Sequence, residues 1–151
     1  MSRVSQAEPE HGAGARLGYS IKRVEQRLMA AKAKALREFG LTVPQYVALM
    51  ALREIPDQSA AQLARVALVS PQTVATIVGN LEAKGLISRR GSPQHARVVV
   101  CSLTPAGQEL VARADAVVGV IEDDVSGIFT PDELAHFHEY LTRVEEHLRR
   151  V

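Results

Sequence analysis

A mainly α-helical chain carrying one small β-hairpin is the fold class this sequence predicts, and three observations predict it. Residues 59–104 read in order as helix, tight turn, second helix and two β-rich runs. A long apolar seam of helical spacing flanks that block on each side, and glycine or proline marks nearly every change of pattern. Together these describe a winged helix-turn-helix set between N- and C-terminal helices.

Taken in order, residues 1–15 (MSRVSQAEPEHGAGA) are small, polar and aperiodic, the composition of a flexible tail. Leu17, Ile21, Val24, Leu28, Ala31 and Ala35 then recur at alternating spacings of four and three, so a helix is expected from Leu17 to Phe39, ended by Gly40. Thr42 and Gln45 form a capping box with Pro44 in the first turn, opening a second helix to about Glu54. Its Val47, Ala48, Met50, Ala51 and Leu52 are core material. The PDQ run, residues 56–58, reads as a turn.

Ser59 and Gln62 make a second capping box, and Leu63, Ala64 and Ala67 face inward from the helix they open. Ser70 caps the next helix, with Pro71 preset for the first helical position. There Val74, Ile77, Val78 and Leu81 fall on one arc of the helical wheel, while Gln72, Thr73, Thr76, Asn80 and Ala83 fall on the other. Gly85 stops it. LISRR (86–90) and RVVVCSL (97–103) are β-rich runs around a turn-forming GSPQHA. Thr104 and Pro105 start a long helix through Leu110, Ala114, Val117, Ile121 and Val125. Thr130, Pro131 and Glu133 start the last one, where Leu134, Phe137, Leu141, Val144 and Leu148 alternate by three and four.

Two such seams exceed what a small central domain needs to cover itself. The expected organisation is therefore one intertwined domain, in which residues 16–39 and 105–151 form a helical dimerisation region around the winged helix-turn-helix of residues 40–104. A homodimer follows; an intrachain helical hairpin is the alternative.

Charge gives the block a direction. The 151 residues carry a net charge of +1, yet residues 16–37 hold seven basic residues against Glu25, and residues 115–146 hold nine acidic ones against Arg143. Between Ala83 and Gln108 stand Lys84, Arg89, Arg90 and Arg97 with no acid among them, a bias that suits phosphates. Small hydroxyl and amide side chains on the fourth helix approach base edges without the bulk that would hold a helix out of a groove. Both features are also compatible with ordinary solvated faces, and with a winged helix that meets a protein partner without specific DNA binding.

Other chemistries find little support. One cysteine permits no internal disulfide, and Cys101 within VVVC reads as a small buried hydrophobe. His136 and His138 are two apart on a helix and point to nearly opposite faces, while His11, His95 and His147 are scattered, so no metal site is expected. There is no GxSxG, no phosphate-cradling glycine loop and no HExxH, and Glu122, Asp123 and Asp124 read as solvation at a helix end. Neither enzyme activity nor a cofactor is expected. No apolar run is long enough to span a bilayer and no secretory h-region is present, which points to a cytoplasmic protein.

From about Leu17 onward the chain resembles the MarR family of transcriptional regulators, named for multiple antibiotic resistance. The most specific matches are SPQTVATIVGNLEAKGLI (70–87) and SLTPAG (102–107), supported by GLTVPQYVALMAL (40–52). The resemblance implies a homodimer whose recognition helices enter successive major grooves of a pseudopalindromic double-stranded operator while the wings reach the flanking minor grooves. By position, Ser70, Gln72, Thr73, Thr76 and Asn80 face DNA, and Arg97 is the wing arginine, with Arg89 and Arg90 on backbone or minor groove. It also implies repression modulated by a small-molecule effector seated between the dimerisation helices and the DNA-binding lobe, where Tyr19, Tyr46 and Met50 are candidate lining residues. Two positions depart from the pattern. Thr76 stands where a basic residue is frequent, and His95 stands where an aspartate commonly holds the guanidinium two residues on, along what is expected to be extended strand.

Overall fold

The computed structural model describes residues 16–151; the tail expected over residues 1–15, with His11, lies outside them. Helix α1 (Leu17–Leu36) buries only Leu36, and the chain then tightens into a 3₁₀ turn, Arg37–Phe39. The α-helix is thus three residues shorter than its apolar spacing predicts. Gly40 accounts for the stop, since it takes the left-handed conformation at φ 65° that side-chain-bearing residues avoid.

The capping box at the start of α2 (Val43–Glu54) is present: the Gln45 amide donates to Thr42 Oγ1 at 3.3 Å, and the Thr42 amide donates to Gln45 Oε1 at 3.0 Å. Helix α2 runs through the centre and buries Tyr46, Ala48, Leu49, Ala51 and Leu52.

The expected turn at residues 56–58 is part turn and part strand. Asp57 turns the chain at φ 59°, and Gln58–Ser59 form a short strand, β1. Gln58 is buried, and its side-chain amide donates to the carbonyls of Ala51 (2.7 Å) and Ile55 (2.8 Å), holding strand and helix end together. A two-residue strand has no periodicity to read, which is why the pattern showed only the turn. Helix α3 (Ala60–Ala67) and helix α4 (Pro71–Ala83) follow, joined through Leu68 in the left-handed region at φ 54°.

Strands β2 (Ile87–Gly91) and β3 (Val99–Leu103) complete a three-stranded antiparallel sheet of order β1-β3-β2, with Gln58 opposite Cys101 and Arg90 opposite Val100. The second wing strand begins two residues later than expected. Arg97 belongs instead to a tight turn in which the Val98 amide donates to the His95 carbonyl at 2.9 Å.

Helix α5 (Pro105–Ser126) is welded to the exit of α4 by its cap. Thr104 Oγ1 accepts from the Gly107 amide (3.1 Å) and donates to the Gly85 carbonyl (2.6 Å), while the Thr104 amide donates to the Leu86 carbonyl (3.1 Å). A Cβ on Gly107 would lie 2.0 Å from the Leu86 carbonyl oxygen, so only glycine permits this approach.

One core joins α2, α3, α4, the sheet and the first half of α5, with Leu49, Leu63, Leu81 and Val111 fully enclosed. Lys32 of α1 pairs with Glu122 of α5, and Arg113 lies over the Phe39 ring, so α1 runs antiparallel along α5. The last helix, α6 (Pro131–Leu148), buries none of its residues. Phe137, Tyr140, Leu141 and Leu148 are all exposed on it, although Phe137 stacks on Phe129 at 5.3 Å between ring centroids.

Candidate nucleic-acid interface

The two faces of α4 differ as the sequence spacing requires. Val74, Ile77, Val78 and Leu81 are buried, while Gln72, Thr73, Thr76 and Asn80 are exposed together on the other side. Ser70, at the N-cap, accepts from the Thr73 amide at 3.1 Å and also lies 2.9 Å from the Thr73 hydroxyl. The Thr76 hydroxyl donates back to the Gln72 carbonyl at 3.3 Å. Both threonine hydroxyls thus have local partners, whereas the Gln72 and Asn80 side-chain amides enter no hydrogen bond among the described residues. The helix begins with no acid in its first turn, so its partial positive end is uncompensated.

The basic residues of the wing are not equivalent. Arg89 makes two bonds to Glu82 at the end of α4, Nε to Oε2 at 2.5 Å and Nη2 to Oε1 at 3.0 Å. Arg90 donates from Nη2 to Asp57 Oδ2 at 2.7 Å, and the other oxygen of Asp57 accepts from the Ser102 hydroxyl at 2.6 Å. These contacts hold both carboxyls below their ordinary values, Asp57 through Ser102 first and then Arg90, and Glu82 through Arg89. Lys84 donates to the Gly40 carbonyl at 2.8 Å. Arg97 is exposed in the wing turn and enters no ion pair among the described residues.

The sequence reading named the arginines but neither of their carboxylate partners. A Pro-Asp pair at a turn is a turn signal only, and nothing local links residue 57 to residue 90. The turn around His95 also removes the premise that residues 95 and 97 share one face of a strand.

Away from this surface, Tyr46 is buried and its hydroxyl donates to Asp115 Oδ1 on α5 at 2.7 Å; Arg53 Nη1 meets the other oxygen at 3.2 Å. Burial first, then the bond to Asp115, pushes the Tyr46 phenol far above its usual range. Met50 is half-buried, with Arg53 beside its sulfur. Tyr19 is separated from this pair. It lies about 25 Å of helix before Leu36, exposed, with Arg23 over its ring. Cys101 is enclosed and burial raises its thiol above the ordinary value, the environment of a small buried hydrophobe.

The profile of the MarR family matches residues 39–98. Over 128 residues the chain is 35% identical to the HTH-type transcriptional repressor Rv2887 of Mycobacterium tuberculosis, covering 85% of this chain and 92% of that one. The chain belongs to the MarR family. This is a family of transcriptional regulators, and the MarR fold extends well beyond the matched profile. The crystal structure of Rv2887 in complex with DNA superposes with a TM-score of 0.67 at 33% identity, over 85% of this chain and 97% of the other. The complex of the same protein with p-aminosalicylic acid gives 0.68 at 34%, over 86% and 98%. A MarR variant from E. coli complexed with operator DNA shares the fold at a TM-score of 0.77 and 24% identity, over 85% and 92%.

Proposed function

We propose that this MarR-family protein is a homodimeric transcriptional repressor that binds a pseudopalindromic operator and is modulated by a small molecule. The observation that carries this reading is the exposed row Gln72, Thr73, Thr76 and Asn80 on a helix whose opposite face is locked into the core. Helix α4 enters the major groove, where Gln72 and Asn80 offer free amides to base edges and the threonine methyls offer apolar contact. Ser70 presents the helix N-terminus to phosphate. Arg97 reaches the minor groove or backbone from the wing tip, with Arg89 and Arg90 beside it on β2.

The exposed apolar residues of α1 and α6 support the dimer, since Leu17, Ile21, Val24, Phe137, Leu141 and Leu148 all present apolar surface to solvent among the described residues. Two copies place two recognition helices on one face of a duplex, which is what a two-fold operator requires. For the effector, the candidate residues Tyr46 and Met50 stand where α2 meets α5, with Arg53 paired to Asp115 beside them. The complex of Rv2887 with p-aminosalicylic acid supports an aromatic acid as the class of effector. The protein acts by binding rather than by catalysis, in the cytoplasm.

The test is binding of labelled duplex DNA as salt is raised. Affinity should fall steeply and linearly on logarithmic axes, as counterion release demands. Association with a protein partner that ignores salt, with no shift of DNA, would favour the interaction-module reading instead.

A further inference from the structure

We propose that Asp57 is a positioning residue for DNA binding, a carboxylate that fixes the Arg90 guanidinium of the wing in the orientation from which it meets phosphate. The proposal rests on the DNA-binding reading above. Asp57 stands on a firm base. It follows the end of α2, and the next residue, Gln58, is buried, bonded to two carbonyls of that helix end and paired with Cys101 of β3. Its backbone sits at φ 59°, a left-handed conformation that aspartate tolerates better than most side chains.

From this base the carboxylate spans two strands of the wing. One oxygen takes the Ser102 hydroxyl of β3 at 2.6 Å and the other takes Arg90 Nη2 of β2 at 2.7 Å. Only one of the five guanidinium N–H groups is used among the described residues, and the Arg90 side chain is 59% exposed, so donors remain for phosphate on a guanidinium already anchored at Nη2. A long arginine otherwise gives up much rotamer freedom when it binds, and an ion pair formed in advance removes part of that cost. Arg97 has no such tether among the described residues, and Arg89 is turned toward Glu82. Arg90 is therefore the wing cation that is both held and open.

The sign of one substitution separates this role from simple electrostatics. Asp57→Asn removes a negative charge from a surface that meets DNA, and it releases Arg90; on charge alone both changes tighten binding. Positioning predicts the opposite. Fluorescence anisotropy of a labelled mixed-sequence duplex with the full chain should show Asp57→Asn binding about three- to tenfold more weakly at low salt. The melting temperature should fall only slightly, because the Asp57–Arg90 pair is exposed and the asparagine carbonyl still accepts from Ser102. Asp57→Glu should recover part of the loss, and in an Arg90→Ala background Asp57→Asn should add nothing. Binding by Asp57→Asn as tight as the parent or tighter, or losses that simply add in the double variant, overturns the clamp while leaving the regulator reading intact. A parent protein that binds no duplex overturns both.

Discussion

Arg89 and Glu82 face each other across the junction between the recognition helix and the wing and meet through two parallel bonds, at 2.5 and 3.0 Å. Helix α4 and strand β2 are connected by only a few residues around Gly85, so this fork fixes the angle at which the wing leaves the helix. The Glu82 carboxyl is held below its ordinary 4.5, chiefly by the hydrogen bonds from Arg89 and then by its charge. A carboxyl depressed in the folded state stabilises above its unfolded value and loses that contribution as pH falls through the folded one. The melting temperature of Glu82→Gln should therefore lie below the parent's at neutral pH, and the gap should begin to close as pH falls below the ordinary 4.5 and vanish once pH has passed the depressed folded-state value. A gap that persists unchanged in acid would show that the pair contributes nothing through its charge.

Gly107 supplies a sharper structural test. Any side chain there meets the Leu86 backbone oxygen at 2.0 Å, and backbone cannot rotate away as a side chain would. Gly107→Ala should destabilise by about 2 kcal/mol or more, the upper range for overpacking, and denaturant unfolding measures it. Gly79→Ala, in open space on α4, is the control and should be neutral or slightly stabilising.

Tyr46 should be slow to ionise. Burial and the bond to Asp115 raise its phenol, so its contribution to stability is complete below the unfolded value near 10 and declines as pH rises beyond it. Phenolate absorbance followed against pH should reveal a late component that is absent from Tyr46→Phe. Removing the hydroxyl should also cost about 1.5 to 3 kcal/mol, the worth of a hydrogen bond to a charged acceptor. A phenol that titrates normally would mean the Tyr46–Asp115 bond does not persist in solution.

No residue of helix α6 is buried among the described residues, and the proposed dimer places a second copy against its apolar face. Replacing Phe137 and Leu141 by glutamate should convert a dimer into a monomer in light scattering, because an unpaired charge buried in an apolar seam is costly. Circular dichroism should show the winged helix-turn-helix core still folded. An unmodified protein that is monomeric at micromolar concentration would contradict the assembly.

What was legible in the sequence is what local chemistry writes there. The capping pairs at Thr42, Ser59 and Thr130, the buried arc from Val74 to Leu81 and the stops at Gly40 and Gly85 each involve residues within a few positions of one another. The fold class and the polar row on α4 followed from them. Strand β1 was not legible because two residues have no period and pair with Val100 and Cys101, some forty positions away. The same distance hid Asp57 behind Arg90 and Ser102 and hid Asp115 behind Tyr46. Arg97 was read as strand because RVVVC is β-rich throughout; the turn closed by Val98 and His95 prevails over that propensity. The resemblance groups Tyr19 with Tyr46 as lining residues; within one chain the antiparallel course of α1 along α5 carries Tyr19 away from Tyr46.

The exposed row on α4 is proposed to read operator sequence as one half of a two-fold pair. Selection of bound duplexes from a random pool, followed by sequencing, tests it most directly. The parent should enrich an inverted repeat whose half-sites lie about one helical turn apart. Gln72→Ala and Asn80→Ala should relax preference at symmetric positions within it, by about 1 to 3 kcal/mol of discrimination per lost base contact. Arg97→Ala should instead weaken all sequences alike and reduce the salt slope by about one. A pool that shows no inverted repeat, or whose enriched sequence is unchanged by both α4 substitutions, would contradict the account.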